Sequence, residues 1–212
     1  CNEWLDDADR ALFAEMERRN PSRYRVAGLG EWGVAEGLIY PRFEMCGFDL
    51  DALRAQGGMQ AVFGLDFGYT NDPSALFCGL IDRENLILYV FDERYERGLT
   101  NRALFTCLGP YRKERIVADS AEPKSIDELR ALGVYRITPA RKGADSVLHG
   151  IQYLQGFQIK IHPRCTHFLT EIAGYAWDAE EGRTCNRPAP GPDHLMDAMR
   201  YAVLYQSGGF EF

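Results

Sequence analysis

The sequence predicts an α/β domain whose mixed sheet opens with three antiparallel strands, continues with parallel ones and is flanked by helices. Three observations carry this. Apolar runs of strand length follow one another from residue 60, separated by short polar turns. After residue 99, helix-length and strand-length segments alternate. The chain's 212 residues, 46% hydrophobic and 26% charged, suffice to bury one sizeable core.

Each element has its own signal. Strands are expected at 61–67, 74–82 and 86–94, and the short turns Asn71-Asp72-Pro73 and Asp82-Arg83-Glu84-Asn85 make them an antiparallel meander. A helix is expected at 99–113, a strand at 115–119 and a helix at 122–132. A strand at 134–138, a helix at 144–155, a strand at 157–161 and a helix at 166–173 follow. Residues 174–192 are rich in Gly, Pro and polar side chains and read as a hairpin loop. A helix over 194–206 closes the chain. Three antiparallel strands followed by α-β alternation is the order of a ribonuclease-H-like domain.

The domain is expected to occupy residues 59–212. Residues 1–58 read as an arm or linker that ends at Gln56-Gly57-Gly58. The arm starts with an acidic amphipathic stretch from Trp4 to Met16, which Asn20-Pro21-Ser22 stops. Extended pieces follow at Tyr24-Arg25-Val26-Ala27 and Gly37-Leu38-Ile39-Tyr40-Pro41. The chain begins at Cys1 and not at Met, so it is expected to be a piece of something longer.

Composition excludes several classes. No apolar run approaches the roughly 20 residues that span a bilayer, so no membrane association is expected. The six cysteines are scattered without a Cys-x-x-Cys pair and read as reduced thiols of a cytosolic protein. A net charge of −7 argues against a free-standing, high-affinity DNA binder and for a monomer in isolation. It leaves room for a nuclease, because cations neutralise a carboxylate metal site.

Three aspartates stand out. Asp66 interrupts the apolar run from Ala61 to Phe67, Asp119 ends Arg115-Ile116-Val117-Ala118-Asp119, and Asp197 rides in the apolar closing helix. A buried unpaired carboxylate costs several kcal/mol, so three of them imply a compensating partner. One or two hard divalent cations suit that role. Two such ions about 4 Å apart serve phosphodiester hydrolysis, in which a water attacks in line with the leaving 3′ oxygen. His194 and Asp197 stand i, i+3 on one helix face, so His194 is a further candidate ligand. Asp193 suits a helix N-cap, and Glu122 suits the N-terminal end of a helix. Arg141 and Lys142, just before a helix, are candidate contacts to a DNA backbone, and Lys124 is a weaker one.

Rival readings of two glycine motifs fall on context. Gly64-Leu65-Asp66-Phe67-Gly68-Tyr69-Thr70-Asn71 resembles the phosphate loop of actin-like and sugar-kinase-like ATPases, but the second core they need is absent from this sequence. Gly28-Leu29-Gly30-Glu31-Trp32-Gly33 matches G-x-G-x-x-G without the helix that a dinucleotide fold requires.

Taken together, Gly64 to Pro73, Ala118-Asp119-Ser120-Ala121-Glu122-Pro123-Lys124-Ser125-Ile126 and Asp193-His194-Leu195-Met196-Asp197-Ala198-Met199-Arg200-Tyr201 resemble the nuclease domain of tailed-bacteriophage large terminase subunits. The resemblance covers most of 60–206, and residues 22–45 look like the segment that joins such a nuclease to its ATPase domain. It implies a Mg²⁺- or Mn²⁺-dependent endonuclease with two ions, cutting concatemeric double-stranded viral DNA in the host cytoplasm during genome packaging. Asp66, Asp119 and Asp197 match the catalytic metal-binding triad, and His194 matches an additional ligand. The loop 174–192 matches a hairpin thought to limit access to the site. The implied partners are the ATPase domain, the small terminase subunit and the portal protein. The sequence contains no G-x-x-x-x-G-K-[ST] loop, so these residues alone are expected to cut DNA without hydrolysing ATP. A latent docking module, or a Holliday-junction resolvase or transposase of the same fold, are the alternatives.

Overall fold

The computed structural model describes residues 37–68, 71–143, 145–180 and 183–206. The expected amphipathic stretch at 1–20, the extended piece from Tyr24 and the 28–33 glycine run lie outside the described residues.

Strand β1 (Phe43–Met45) and helix α1 (Leu50–Gln56) precede the meander β2 (Gln60–Asp66), β3 (Pro73–Asp82) and β4 (Ile87–Arg97). Helix α2 (Asn101–Cys107) and a 3₁₀ turn (Gly109–Lys113) lead to β5 (Ile116–Ala118), α3 (Pro123–Leu132) and β6 (Thr138–Pro139). Helix α4 (Ser146–Gln155), β7 (Gln158–Ile161) and α5 (Thr166–Gly174) come next. A hairpin of β8 (Trp177–Glu180) and β9 (Arg183–Pro188) then leads to α6 (His194–Gln206).

Seven strands form one mixed sheet in the order β1-β7-β4-β3-β2-β5-β6. The meander pairs are antiparallel, whereas β5 and β7 join β2 and β4 in parallel. Alternation along the strands sends Val62, Ala75, Phe77, Leu88 and Val90 into a core shared with α4, α5 and α6. Phe63, Leu65, Leu76, Tyr89 and Phe91 point the other way, into a core completed by Leu104, Ile126 and Leu129. Strand β3 is covered on both faces and buried along its whole length, so its sequence reads as an almost unbroken apolar run.

The structure departs from the sequence reading in three places. The single helix expected over 99–113 divides at Gly109-Pro110, where Gly109 takes φ 50° and proline offers no N–H to continue the ladder. The strand expected at 134–138 shrinks to Thr138–Pro139; Val134 and Ile137 are buried from a turn, and Pro139 fits only because β6 is an outer strand. Residues 37–56, assigned to the arm from sequence, supply buried Ile39 and Tyr40, the edge strand β1 beside β7, and α1 packed through Leu50 and Leu53.

One packing contact positions the functional end of the sheet. Helix α6 lies against β2, β3 and β5. A Cβ at Gly64 would sit 1.8 Å from the carbonyl oxygen of Ala198, so the helix touches the β2 backbone at a distance only glycine allows. Gly64→Ala is therefore expected to cost at least about 2 kcal/mol, because the whole helix must shift. Gly47→Ala meets nothing within 4 Å and should stay within about 0.5 kcal/mol of wild type. Urea denaturation of the two variants checks the pair, and equal midpoints would refute the close approach.

Candidate active site

Asp66 and His194 touch across the end of β2 and the start of α6, with Asp119 on β5 and Asp197 on α6 near enough to act on Asp66 electrostatically. The parallel register pairs Leu65 with Ala118, so Asp66 and Asp119 are the next residues on adjacent strands. The Asp119 N–H donates to the Leu65 carbonyl at 2.9 Å and fixes that alignment beyond the strand end. Asp66 shares the sheet face of Val62 and Gly64, the side covered by α6. Asp197 immediately precedes Ala198, the residue seated on Gly64.

Each carboxylate has its own basic partner. Asp66 Oδ2 lies 3.0 Å from His194 Nδ1, which donates when that nitrogen carries the proton. Asp119 Oδ1 lies 2.5 Å from Lys142 Nζ and also accepts from the Ala121 N–H at 2.9 Å. Asp197 Oδ1 lies 2.7 Å from Arg200 Nη2, and the Tyr201 hydroxyl donates to Asp197 Oδ2 at 3.2 Å. Burial raises the Asp66 pKa above the ordinary carboxylate value; His194 opposes the rise, whereas Asp197 and Asp119 add to it. The bond to Asp66 in turn raises His194 above its usual value despite its burial. Asp193, beside them, is pushed to about 6 by burial and by Asp197.

The start of α6 is held from outside the helix. Glu171 on α5 accepts the N–H groups of Leu195 at 2.7 Å and Met196 at 3.4 Å through Oε2. Sequence reasoning gives the capping role to Asp193, but its carbonyl, not its side chain, joins the helix, accepting from the Asp197 N–H at 2.8 Å. Glu93 on β4 does the same for α5, accepting from the N–H groups of His167 and Phe168. Glu122 stands at the start of α3, where the Ser125 hydroxyl reaches its carboxylate at 3.4 Å.

Among the other sequence candidates, only Lys142 enters the site. Arg141 is exposed beside it, and Lys124 is exposed in the first turn of α3. Sequence reasoning missed Arg200, Tyr201 and Glu171. The first two stand i+3 and i+4 from Asp197 and were readable as helix neighbours; Glu171 carries no local signal. A cleft of about 370 Å³ opens beside Asp193, Asp197 and Arg200, walled by Tyr175 and by the β8–β9 hairpin, whose strands are tied by Arg187 and Asp178 at 2.8 Å.

Carboxylate oxygens and one imidazole are donor types that a divalent cation accepts. Among the described residues, no three His, Cys, Asp or Glu side chains are already gathered to hold a metal ion. The carboxylates turn instead to Lys142 and Arg200.

The sequence profile of the Terminase RNAseH like domain family matches residues 66–204. The chain belongs to this family. It is 34% identical to the terminase large subunit of Bacillus phage SPP1 over 95% of its own length and 49% of that protein. It spans about half the length of the curated relatives it matches. Its fold superposes on the crystal structure of the SPP1 g2p large terminase nuclease domain with bound Mn, with a TM-score of 0.72 and 30% identity. That match covers 80% of this chain and 99% of the SPP1 domain. The large terminase nuclease of thermophilic phage G20c, solved with bound magnesium, shares the fold with a TM-score of 0.53 at 17% identity, over 79% of this chain and 97% of that one. The terminase fold thus accounts for the mixed sheet flanked by helices. No helix among the described residues is long and apolar enough to cross a membrane.

Burial pushes Glu171 up to about 7. A carboxyl with a raised folded-state pKa contributes stability that is fully present below its unfolded value and is lost as pH rises through the folded one. The stability of wild type relative to Glu171→Gln should therefore decline between pH 5 and pH 8. Urea midpoints in EDTA at the two pH values test this, and a constant difference would show that Glu171 does not titrate there.

Proposed function

We propose that this terminase domain is a metal-dependent endonuclease that cuts concatemeric double-stranded viral DNA during genome packaging. The observation that supports the reading is that Asp66 and Asp119 leave adjacent strands side by side, with Asp197 on α6 close enough to raise the Asp66 pKa, in a chain whose relative from SPP1 was solved as a nuclease domain with bound Mn. In this reading the three aspartates hold Mg²⁺ or Mn²⁺, with His194 as an additional ligand. Two such ions, when bound, would activate the attacking water and stabilise the leaving 3′ oxygen.

The chain's own residues do the rest. Glu171 and the Gly64 contact hold α6 in place, so Asp197 faces the strand ends as part of a fixed frame. Arg200 orients Asp197 from the buried side. Lys142 and Arg141 offer positive charge to a DNA backbone, and Lys124 extends that charge along the surface. The hairpin of β8 and β9 borders the cleft and narrows the path to Asp197. The contacts proposed here go to the backbone, which carries no sequence information, in keeping with cleavage of little sequence preference.

In this reading the negative charge of the chain makes intrinsic DNA affinity weak, so substrate delivery falls to the ATPase domain, the small terminase subunit and the portal protein. The work would take place in the host cytoplasm at the procapsid.

The test is plasmid cleavage with Mn²⁺, with Mg²⁺ and with EDTA, beside Asp119→Asn. Metal-dependent linearisation is expected, lowered at least roughly 100-fold by the substitution, since a lost metal ligand removes several kcal/mol of transition-state stabilisation. Full activity in Asp119→Asn would remove that residue from the mechanism. A folded wild-type protein that cuts under neither metal would favour a docking module, and strong preference for branched DNA would favour a resolvase.

A further inference from the structure

The three basic partners of the aspartates differ in how firmly they are held. The Arg200 side chain is 5% exposed, and a Cβ at Gly150 on α4 would sit 2.6 Å from it, so it is packed between helices and cannot leave. His194 is anchored in the first turn of α6 and is 19% exposed. The Lys142 side chain is 43% exposed on an irregular segment between β6 and α4, followed by Gly143, whose surroundings are open. Its ammonium also lies 5.3 Å from the centroid of the Tyr201 ring, on the face of α6 that carries Asp197. Lys142 thus brings a unit positive charge into the group of aspartates on the most exposed of the three basic side chains.

We propose that Lys142 is a place-holding cation: it neutralises Asp119 before metal binds, gives up that carboxylate to a divalent cation, and then turns to a DNA phosphate. The inference rests on the metal-dependent nuclease reading above and deepens it. With Lys142 on Asp119, that oxygen is engaged by an ammonium and by the Ala121 N–H, and a cation must compete for it. With Lys142 displaced, two like charges would face each other across one carboxylate unless the ammonium finds another anion. A phosphate backbone supplies that anion, so metal loading and DNA engagement favour each other through one side chain.

The experiment counts bound Mn²⁺ by electron paramagnetic resonance without DNA, in wild type, Lys142→Met, Lys142→Arg and Asp119→Asn, each verified as folded by thermal unfolding. Lys142→Met keeps the apolar stem and removes the competing charge, so it should bind Mn²⁺ about three- to tenfold more tightly, with the gain shrinking in high salt. Lys142→Arg keeps the charge and should stay near wild type. In a second arm, DNA binding is measured with Ca²⁺ and with EDTA, and the Ca²⁺-dependent gain should be smaller in Lys142→Met than in wild type. Unchanged or weaker Mn²⁺ binding in Lys142→Met, with binding lost in Asp119→Asn, would overturn the place-holder while leaving the metal site standing. Undiminished binding in Asp119→Asn would overturn both.

Discussion

The contact between α6 and the backbone of β2 is the constraint on which the rest of the site depends. A helix normally rides on a sheet at the distance its side chains set. At Gly64 no side chain intervenes, and the Ala198 carbonyl occupies the space a Cβ would take. This drops the first turn of the helix toward the strand ends, where Asp66 and Asp119 leave the sheet in register. His194 reaches Asp66, and Asp197 comes within electrostatic range of it, because the helix is seated this low. The contact also accounts for a glycine in the middle of an otherwise apolar strand, a position where glycine weakens the strand unless a close approach requires it.

Bringing aspartates together creates an electrostatic problem that the fold solves pair by pair. Like charges disfavour one another's ionisation, and burial adds to the cost, as the upward shift of Asp66 shows. Each aspartate meets a basic side chain from a different setting: an imidazole in the helix's first turn, an ammonium from a loop, a guanidinium buried between helices. Removing Arg200 would leave Asp197 without its buried partner, a loss of several kcal/mol. The half-exposed Lys142 stabilises its pair far less.

The scaffold behind the site is built with buried carboxylates used as caps. Glu93 closes the start of α5, and Glu171, carried by α5, closes the start of α6. This chain of caps ties β4 to α5 and α5 to α6, so the rotation of the helix that bears Asp197 is set by groups remote in sequence. An ionised carboxylate also complements the positive end of the helix dipole. Because the aspartates come from separate elements, such rigidity is what keeps their carboxylates in a fixed relation.

Much of this was legible in the chain. Apolar runs and turn residues gave the meander, the hairpin and the closing helix, because those signals are local. The three aspartates stood out because charge in an apolar run needs an explanation, and His194 followed from helix periodicity. The partition of 99–113 at Gly109-Pro110 was written in the sequence and overlooked. Other features are not local and had no trace to follow. The cap that Glu171 provides joins residues on two helices, and the pairing of Lys142 with Asp119 joins a loop to a strand end. The addition of residues 37–56 to the sheet and core depends on β7 offering an open edge, which no pattern within that segment announces. The sequence by itself determined which elements form and which side chains carry charge into them, since these follow from neighbours along the chain. Tertiary structure alone decided which charge faces which, because only packing brings separate elements within the few ångströms over which ion pairs and hydrogen bonds act.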